Sequence, residues 1–120
     1  MLIKDVLVMT KETDFIYALS VFLDEFERSD NKEILILEEP LETIGYDKER
    51  SILAAVAHKL ANENNIKVPD WVFKIEYILK QPYFQFDTKN KEYQEYLIQK
   101  SPIEFRQRNI YVDENALVRV

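Results

Sequence analysis

The chain contains no cysteine and only one histidine, His58, among its 120 residues. The absence of cysteine excludes disulfides and thiolate metal sites, and it fits a reducing cytoplasm, where we expect the protein to reside. A zinc site would have to combine His58 with carboxylates alone, which is an uncommon ligand set. We therefore predict no metal and no cofactor, and we interpret His58 as an ordinary polar residue at the rim of a helix.

Glycine and proline are also scarce, with one and four residues respectively. Phosphate-binding loops of the usual kinds need several glycines, so they are excluded. Sheet proteins usually need glycine-rich turns, so the scarcity favours helices joined by short polar turns. Because 47% of the residues are hydrophobic, a packed core is expected. We predict a single all-α domain over residues 1–120, a compact bundle of about five to seven helices with short capped helices at the C-terminus.

The residue combinations of common catalytic sites are missing as well. A hydrolase or transferase needs a nucleophile with a base, a metal cluster or a phosphate loop. The adjacent carboxylates Glu38 and Glu39 do not form a working pair, because neighbours on a helix point apart. We therefore predict that the protein is not an enzyme. The N-terminal stretch MLIKDVLVMTKE is apolar for only a few residues, so we expect neither a signal peptide nor a membrane span, and Met1 and Met9 both stand as candidate starts.

Basic residues are outnumbered, and the formal net charge is −6. Residues 1–50 hold 13 acidic and 6 basic residues, a net charge of −7, and the remainder of the chain carries +1. A nucleic-acid-binding protein normally has a basic footprint, so we do not expect direct binding to nucleic acid. An acidic half suggests a basic partner, and ordinary solvated helix faces are the alternative explanation of the same charges.

Two segments have the hydrophobic spacing of amphipathic helices. The first runs from Thr10 to Asp30 and has an apolar stripe and three candidate capping residues: Phe15, Leu19, Phe22 and Phe26 in the stripe, and Thr10, Thr13 and Asp14 as caps. The second begins near Asp47, a candidate cap, and has an alanine-rich seam. We expect Asn64 or Asn65 to end this second helix in the left-handed conformation.

Two further segments are less clear. Residues 33–38, EILILE, fit either a short strand or a helical turn. We favour the helix, because a lone strand leaves its backbone groups unpaired. After Val68, a helix is predicted to begin at Pro69 or Asp70, and it is apolar on most sides from Trp71 to Leu79. Such a helix is expected to be buried or bound to a partner.

The C-terminal tail, SPIEFRQRNIYVDENALVRV, predicts two short helices around an extended RNIYV connector. Ser101 and Glu104 form a capping box with Pro102 between them, and Asp113 is placed to cap a last turn over ENAL. We expect Phe105, like Trp71, to belong to the core. Arg106 and Arg108 are open to two interpretations: a guanidinium that pairs with an internal carboxylate and locks the tail, or a direct contact with a partner.

Several short motifs resemble a domain of bacterial regulators and antitoxin-like proteins. In that family the domain lies behind an Xre-type helix-turn-helix or stands alone beside a nucleotidyltransferase-like toxin. The likeness covers roughly residues 50–120, and the matching positions are Pro69 and Trp71, then Pro82, Tyr83 and Phe84, then Ser101, Pro102, Phe105, Arg106 and Arg108, and finally Val112, Asp113 and Leu117. Residues 1–50 show no convincing helix-turn-helix, which departs from the longer members.

The resemblance implies a binding protein, an antitoxin or inhibitor that neutralises a partner such as a toxin with a basic active-site cleft. The alternative is a transcriptional-regulator-type domain that binds nucleic acid directly or through a partner. Aromatic residues and arginine anchor interfaces, and carboxylates steer association with basic clefts. We therefore predict partner contacts at seven positions: Arg106, Arg108, Asn109, Tyr111, Tyr83, Glu38 and Glu39.

Overall fold

The computed structural model of the chain describes residues 1–115. Six α-helices lie in this range: α1 Asp5–Thr10, α2 Phe15–Arg28, α3 Lys32–Ile36, α4 Asp47–Glu63, α5 Lys91–Lys100 and α6 Ile103–Arg106. Three short 3-10 turns are also present: Asp70–Phe73, Ile75–Tyr77 and Gln85–Asp87. Two strands of two residues each, β1 Tyr83–Phe84 and β2 Ile110–Tyr111, pair in parallel, with Tyr83 opposite Ile110. The predicted all-α bundle of five to seven helices is confirmed, and residues 33–36 of the open segment 33–38 are helical, while Leu37 and Glu38 follow the helix in a bend.

The ends of α2 follow its local sequence. The Asp14 side chain accepts a hydrogen bond from the Tyr17 backbone N–H at 3.4 Å, so Asp14 is the cap among the three candidates. Thr10 instead donates its hydroxyl to the backbone carbonyl of Val6 within α1. The predicted stripe packs inward, with Leu19, Phe22 and Phe26 buried and Phe15 half-buried.

Helix α4 is the centre of the core. Most of its middle is fully buried, because five of its residues there are small or aliphatic: Leu53, Ala54, Ala55, Val56 and Ala57. The helix ends as expected, with Asn65 in the left-handed region at a φ of +54° and the Ile66 N–H donating to the Ala61 carbonyl. The expected cap at its start is wrong. Asp47 is the first helical residue after Tyr46, and no side chain caps this end.

The helix predicted for residues 69–79 is also wrong. Two 3-10 turns take its place, separated by extended backbone at Lys74 with a ψ of 137°. Tertiary contacts hold this irregular path, since the Trp71 indole donates to the Ile36 carbonyl at 3.1 Å. Trp71 and Tyr77 are buried and meet edge to face with ring centroids 6.0 Å apart. Val72 is also buried, whereas three other apolar side chains of the segment are exposed: Phe73, Ile75 and Ile78.

The capping box predicted for the tail does not form. Ser101 is buried, and its hydroxyl donates to the Leu97 carbonyl while it accepts from the Val112 N–H at 2.8 Å. Pro102 precedes α6 without a side-chain cap. Phe105 is buried as expected. Asp113 accepts from the Asn115 N–H, as its predicted capping role requires, but the rest of the predicted last turn, with Leu117, lies outside the described residues.

Helix α4 packs against α6 and against the first two 3-10 turns, and α1 packs against α2. Among the described residues, none of the helices combines the length and the apolar content that crossing a membrane requires. The turns at residues 70–77 and the extended segment after α3 lie against the helical core, with Trp71 and Tyr77 buried and other side chains of both segments exposed. These two segments form the surface around Glu39.

Candidate interaction surfaces

Arg108 is an internal residue, although it was predicted as a partner contact. Arg108 is only 2% exposed to solvent. The Nη1 group donates to the Glu104 carbonyl at 2.6 Å, and Nη2 donates to the Val72 carbonyl at 2.8 Å. The guanidinium therefore locks the tail against the turn at residues 70–73. The expected carboxylate partner is wrong, because two backbone carbonyls take both arms of the fork.

His58 is the third partner of this guanidinium. Its Nδ1 atom lies 3.2 Å from Arg108 Nη1, and because a guanidinium only donates, Nδ1 must accept. Burial and the charge of Arg108 lower the pKa of His58 below its ordinary value, and Glu104 only partly opposes them. The Phe73 ring lies edge to face with the imidazole, with ring centroids 5.0 Å apart. His58 is thus a neutral structural acceptor, a role that no sequence spacing indicated, since Arg108 lies 50 positions away.

Tyr83, Asn109 and Tyr111 are brought together around the strand pair. Asn109 adopts a left-handed φ of +65°, and its side chain donates to the Leu79 carbonyl at 3.0 Å. Its backbone carbonyl accepts from the Tyr83 N–H, and its side-chain oxygen accepts from the Tyr111 hydroxyl. Phe84 stacks on Tyr111 at 5.1 Å. Asn109 therefore makes its hydrogen bonds within the fold, and the rings of Tyr83, Phe84 and Tyr111 are half-buried.

Arg106 and Glu38 lie at the surface and far from each other along the chain. Arg106 is exposed at the end of α6. Glu38 follows α3, and its carboxylate is 3.2 Å from Lys4 Nζ. The structure thus places the predicted contact residues in separate groups: an exposed arginine, a buried arginine, an aromatic cluster, and the two glutamates after α3.

Glu39 is the most highly connected of the predicted contact residues. Lys74 Nζ lies 2.7 Å from its Oε1, the Tyr77 hydroxyl donates to its Oε2, and Arg50 Nη2 stands 3.6 Å from Oε2. Burial opposes ionisation, but the hydrogen bonds from Lys74 and Tyr77, with the charges of Lys74 and Arg50, hold the pKa of Glu39 below its ordinary value. Burial and the bond to Glu39 raise the pKa of Tyr77. Glu39 is therefore a fixed carboxylate at neutral pH.

Arg50 completes this network from α4. Its buried guanidinium donates to the Pro40 carbonyl at 3.2 Å and to the Tyr77 hydroxyl at 2.8 Å, and Nη1 lies 3.5 Å from Glu76. The network thereby ties the extended segment after α3 to α4 and to the turn Ile75–Tyr77. No spacing along the chain indicated this network, because Tyr77 lies 27 positions from Arg50 and 38 from Glu39.

Glu39 lines one surface depression, and its partners Arg50 and Tyr77 line a second. One, of about 400 Å³, is lined by Val8 and Leu41, and the other, of about 850 Å³, is lined by Ile75 and Ile78. These side chains are exposed, and Leu41 and Ile75 are 75% and 84% exposed. We call this surface the Glu39 face; it comprises Val8, Glu38, Glu39, Leu41, Glu42, Asp47, Ile75, Glu76 and Ile78. Over residues 1–115, no group of three or more acidic or histidine side chains is arranged to hold a metal ion there or elsewhere.

Comparison with protein-family models, with curated proteins and with solved structures finds no significant match to this chain. The likeness to antitoxin-like proteins therefore rests on the motifs of the sequence alone. The Glu39 face combines exposed apolar side chains with a carboxylate that is held in place by three hydrogen-bonding or charged partners.

Proposed function

We propose that this protein is a non-catalytic interaction protein of the cytoplasm, the antitoxin or inhibitor subunit that neutralises a partner such as a nucleotidyltransferase-like toxin. The observation that carries the proposal is the Glu39 face, where apolar side chains stand exposed on both sides of an internally fixed carboxylate. Contiguous exposed apolar surface rimmed by polar residues is characteristic of interaction sites. The resemblance of the closing motif to antitoxin-like proteins supports the same class.

Association through the Glu39 face should lose little conformational entropy. Lys74, Tyr77 and Arg50 hold Glu39 in place, so the backbone on both sides of it is already fixed before a partner arrives. Pre-organisation of this kind removes part of the entropy lost on association. Full burial of a leucine or isoleucine side chain contributes roughly 1.5–3 kcal/mol, so Leu41 and Ile75 are suited to anchor a partner.

The charge of this region favours a basic partner. Glu38, Glu42, Asp47 and Glu76 surround the apolar side chains, and residues 1–50 carry a net charge of −7. Lys4 and Lys74 pair with Glu38 and Glu39, and the carboxylates of Glu42 and Asp47 have no ion pair among the described residues. Lys11 and Lys80 also line the two depressions, so six acidic and four basic side chains line them and their net charge is modestly acidic. A protein that handles nucleotides needs basic groups for phosphate, and opposite charge accelerates association with such a cleft.

The first test is whether the source genome encodes a nucleotidyltransferase-like protein next to this chain, and absence of such a gene would count against the proposed partner. The second is a binding and rescue experiment with that neighbouring protein. The double variant Leu41→Ser with Ile75→Ser removes both anchors, and both residues are exposed, so the fold is retained. We expect wild type to bind the partner and to restore growth of cells that express it, and the double variant to bind roughly 100-fold or more weakly.

The matched control is Ile98→Ser, which removes an exposed isoleucine from α5, outside the Glu39 face. This variant should bind and rescue growth like wild type. Absence of a complex with the neighbouring protein would refute the proposed partner. Equal binding by the double variant and wild type would refute the Glu39 face as the contact surface.

A further inference from the structure

A second apolar surface lies between α2 and α4. It is a groove of about 210 Å³, which we call the α2–α4 groove, and it is lined mainly by Ile16, Leu19, Leu23, Ile52, Val56, Tyr83, Phe86, Phe105 and Val112. Ile52 follows Arg50 by two positions, so the two side chains project from nearly opposite sides of α4. Because Arg50 belongs to the network behind the Glu39 face, this groove is a separate surface from that face.

Phe86 closes one end of the groove in an unfavourable backbone conformation. Its φ is +61° and that of Asp87 is +51°, although neither residue is glycine. A bulky residue in the left-handed region is uncommon and strained, and such strain is concentrated at binding and active sites. The Phe86 side chain is nevertheless 78% exposed, so its own burial does not offset the strain. The conformation holds an aromatic ring at the mouth of the groove.

Two carboxylates, Asp87 and Glu49, stand at the Phe86 end of the groove. At the Phe86 end, burial and then the charges of Asp87 and Glu49 raise the pKa of Tyr83, which places both carboxylates within electrostatic reach of its ring. Lys48 is the neighbouring cation, with Nζ 4.8 Å from the Tyr83 ring centroid. At the other end, exposed Glu27 follows Leu23 by four positions and so shares its face of α2, but Lys32 Nζ lies 3.3 Å from the Glu27 backbone carbonyl oxygen. The excess of carboxylates is therefore at the Phe86 end.

We propose that the α2–α4 groove docks an amphipathic helix of a partner protein, with apolar side chains in the groove and lysine or arginine at the end that lies beside Phe86. The wall formed by α2 from Phe15 to Leu23 extends about 12 Å, or two helical turns. Apolar anchors at positions i, i+4 and i+7 of a docked helix match this length. A second copy of the chain fits less well, because both copies carry a net charge of −6.

The test uses the full chain and two synthetic amphipathic peptides of about 15 residues, one of leucine and lysine and one of leucine and glutamate. Binding is measured by fluorescence anisotropy and mapped by amide NMR shifts. We expect the lysine peptide to bind at least about tenfold more tightly than the glutamate peptide. The shifted amides should belong to the groove-lining parts of α2 and α4.

Variants locate the binding site. Ile16→Ser and Phe86→Ser each remove an exposed groove side chain, so both should fold, and each should weaken binding of the lysine peptide about tenfold. Ile98→Ser and the double variant Leu41→Ser with Ile75→Ser should bind the peptide like wild type, because they lie outside the groove. The proposal therefore fails or succeeds independently of the proposed function.

Three results would overturn the docking proposal. The first is equal affinity for the two peptides, since the carboxylates at the Phe86 end would then select nothing. The second is unchanged binding by both groove variants, or shifts that map to the Glu39 face instead. The third is a dimer in light scattering that Ile16→Ser or Phe86→Ser dissociates, because the occupant would then be a second copy of this chain.

Discussion

At the scale of single residues, Arg108 joins segments that the chain keeps far apart. Its fork reaches the carbonyls of Val72 and Glu104, and a lysine has no second arm to reach both. We expect Arg108→Lys to lower the free energy of unfolding by about 2 kcal/mol, because a buried carbonyl loses its donor. Arg106→Lys is the matched control, and because Arg106 is exposed we expect a change within about 0.5 kcal/mol. Urea unfolding of both variants checks this, and equal stability would contradict the lock.

His58 makes stability depend on pH in a defined window. Its pKa in the folded chain lies below the ordinary value of 6.5, chiefly through burial and then the charge of Arg108. Between the folded and unfolded pKa values, the unfolded chain binds a proton that the folded chain does not. Stability should therefore fall as the pH drops below about 6.5.

Thermal unfolding at several pH values between 7 and 5 measures this effect for wild type and for His58→Gln. Glutamine cannot take up a proton, so the variant should lose less of its melting temperature over this range. Glu39 does not contribute there, because its pKa is held below the ordinary carboxylate value. Parallel profiles for the two proteins would show that His58 is not the titrating group.

At the scale of elements, Ser101 connects the end of α5 to β2. Its buried hydroxyl donates to the Leu97 carbonyl and accepts from the Val112 N–H. We expect Ser101→Ala to cost about 1–3 kcal/mol of unfolding free energy, because the Val112 N–H is left buried without a partner. Ser20→Ala is the control, since the Ser20 hydroxyl only donates within α2. Chemical denaturation should separate the two variants, and similar midpoints would contradict this role.

Phe105 in α6 carries a second prediction at the scale of elements. The ring is buried in the core that α6 shares with α4. Truncation in Phe105→Ala should cost about 3–5 kcal/mol, because it removes apolar contacts and leaves a cavity. Ile103→Ala in the same helix is the control, since Ile103 is exposed. A wild-type melting temperature for Phe105→Ala would contradict the packing described for α6.

At the scale of the whole molecule, the described residues form a compact body with a radius of gyration of 13.7 Å, close to the value of about 14 Å typical of a folded chain of this length. The Glu39 network links the acidic first half to the second half of this body through Lys74 and Tyr77. Because Lys74 is at the surface, water screens part of this interaction. The network therefore orders the Glu39 face more than it adds to total stability.

Because of the Glu39 carboxylate, we expect the free energy of unfolding to decrease in acid. Its pKa is lowered in the folded chain, so its contribution is present above the unfolded pKa and is lost as the pH falls through the folded value. Glu39→Gln should be less stable than wild type at pH 7 and should lose less stability on acidification below about pH 4. Glu38→Gln, next to it on the surface, should follow the wild-type curve. Denaturant midpoints measured from pH 7 to pH 3 test both variants.

Local sequence determined the two longest helices, α2 and α4, together with the start of α2 and the end of α4. The stripe of α2 and its Asp14 cap, and the left-handed Asn65 after α4, are set by interactions within about four positions, and such interactions can be predicted from spacing alone. Composition likewise predicted the helical class. The partner-binding role of the chain stays a prediction, with its support now placed on the Glu39 face.

Tertiary structure decided the residues whose best partners are distant. Ser101 has the sequence of a helix cap, but its hydroxyl bonds to Val112, because a buried partner 11 positions away displaces the local one. One of the two interpretations paired Arg106 or Arg108 with an internal carboxylate, whereas Arg108 lies between backbone carbonyls that folding brings beside it. The apolar run after Pro69 divides into two turns, since Trp71 and Tyr77 are drawn inward while Ile75 is left in solvent. Long-range hydrogen bonds and burial outweighed local preference at each of these positions, because they act only once the chain is folded.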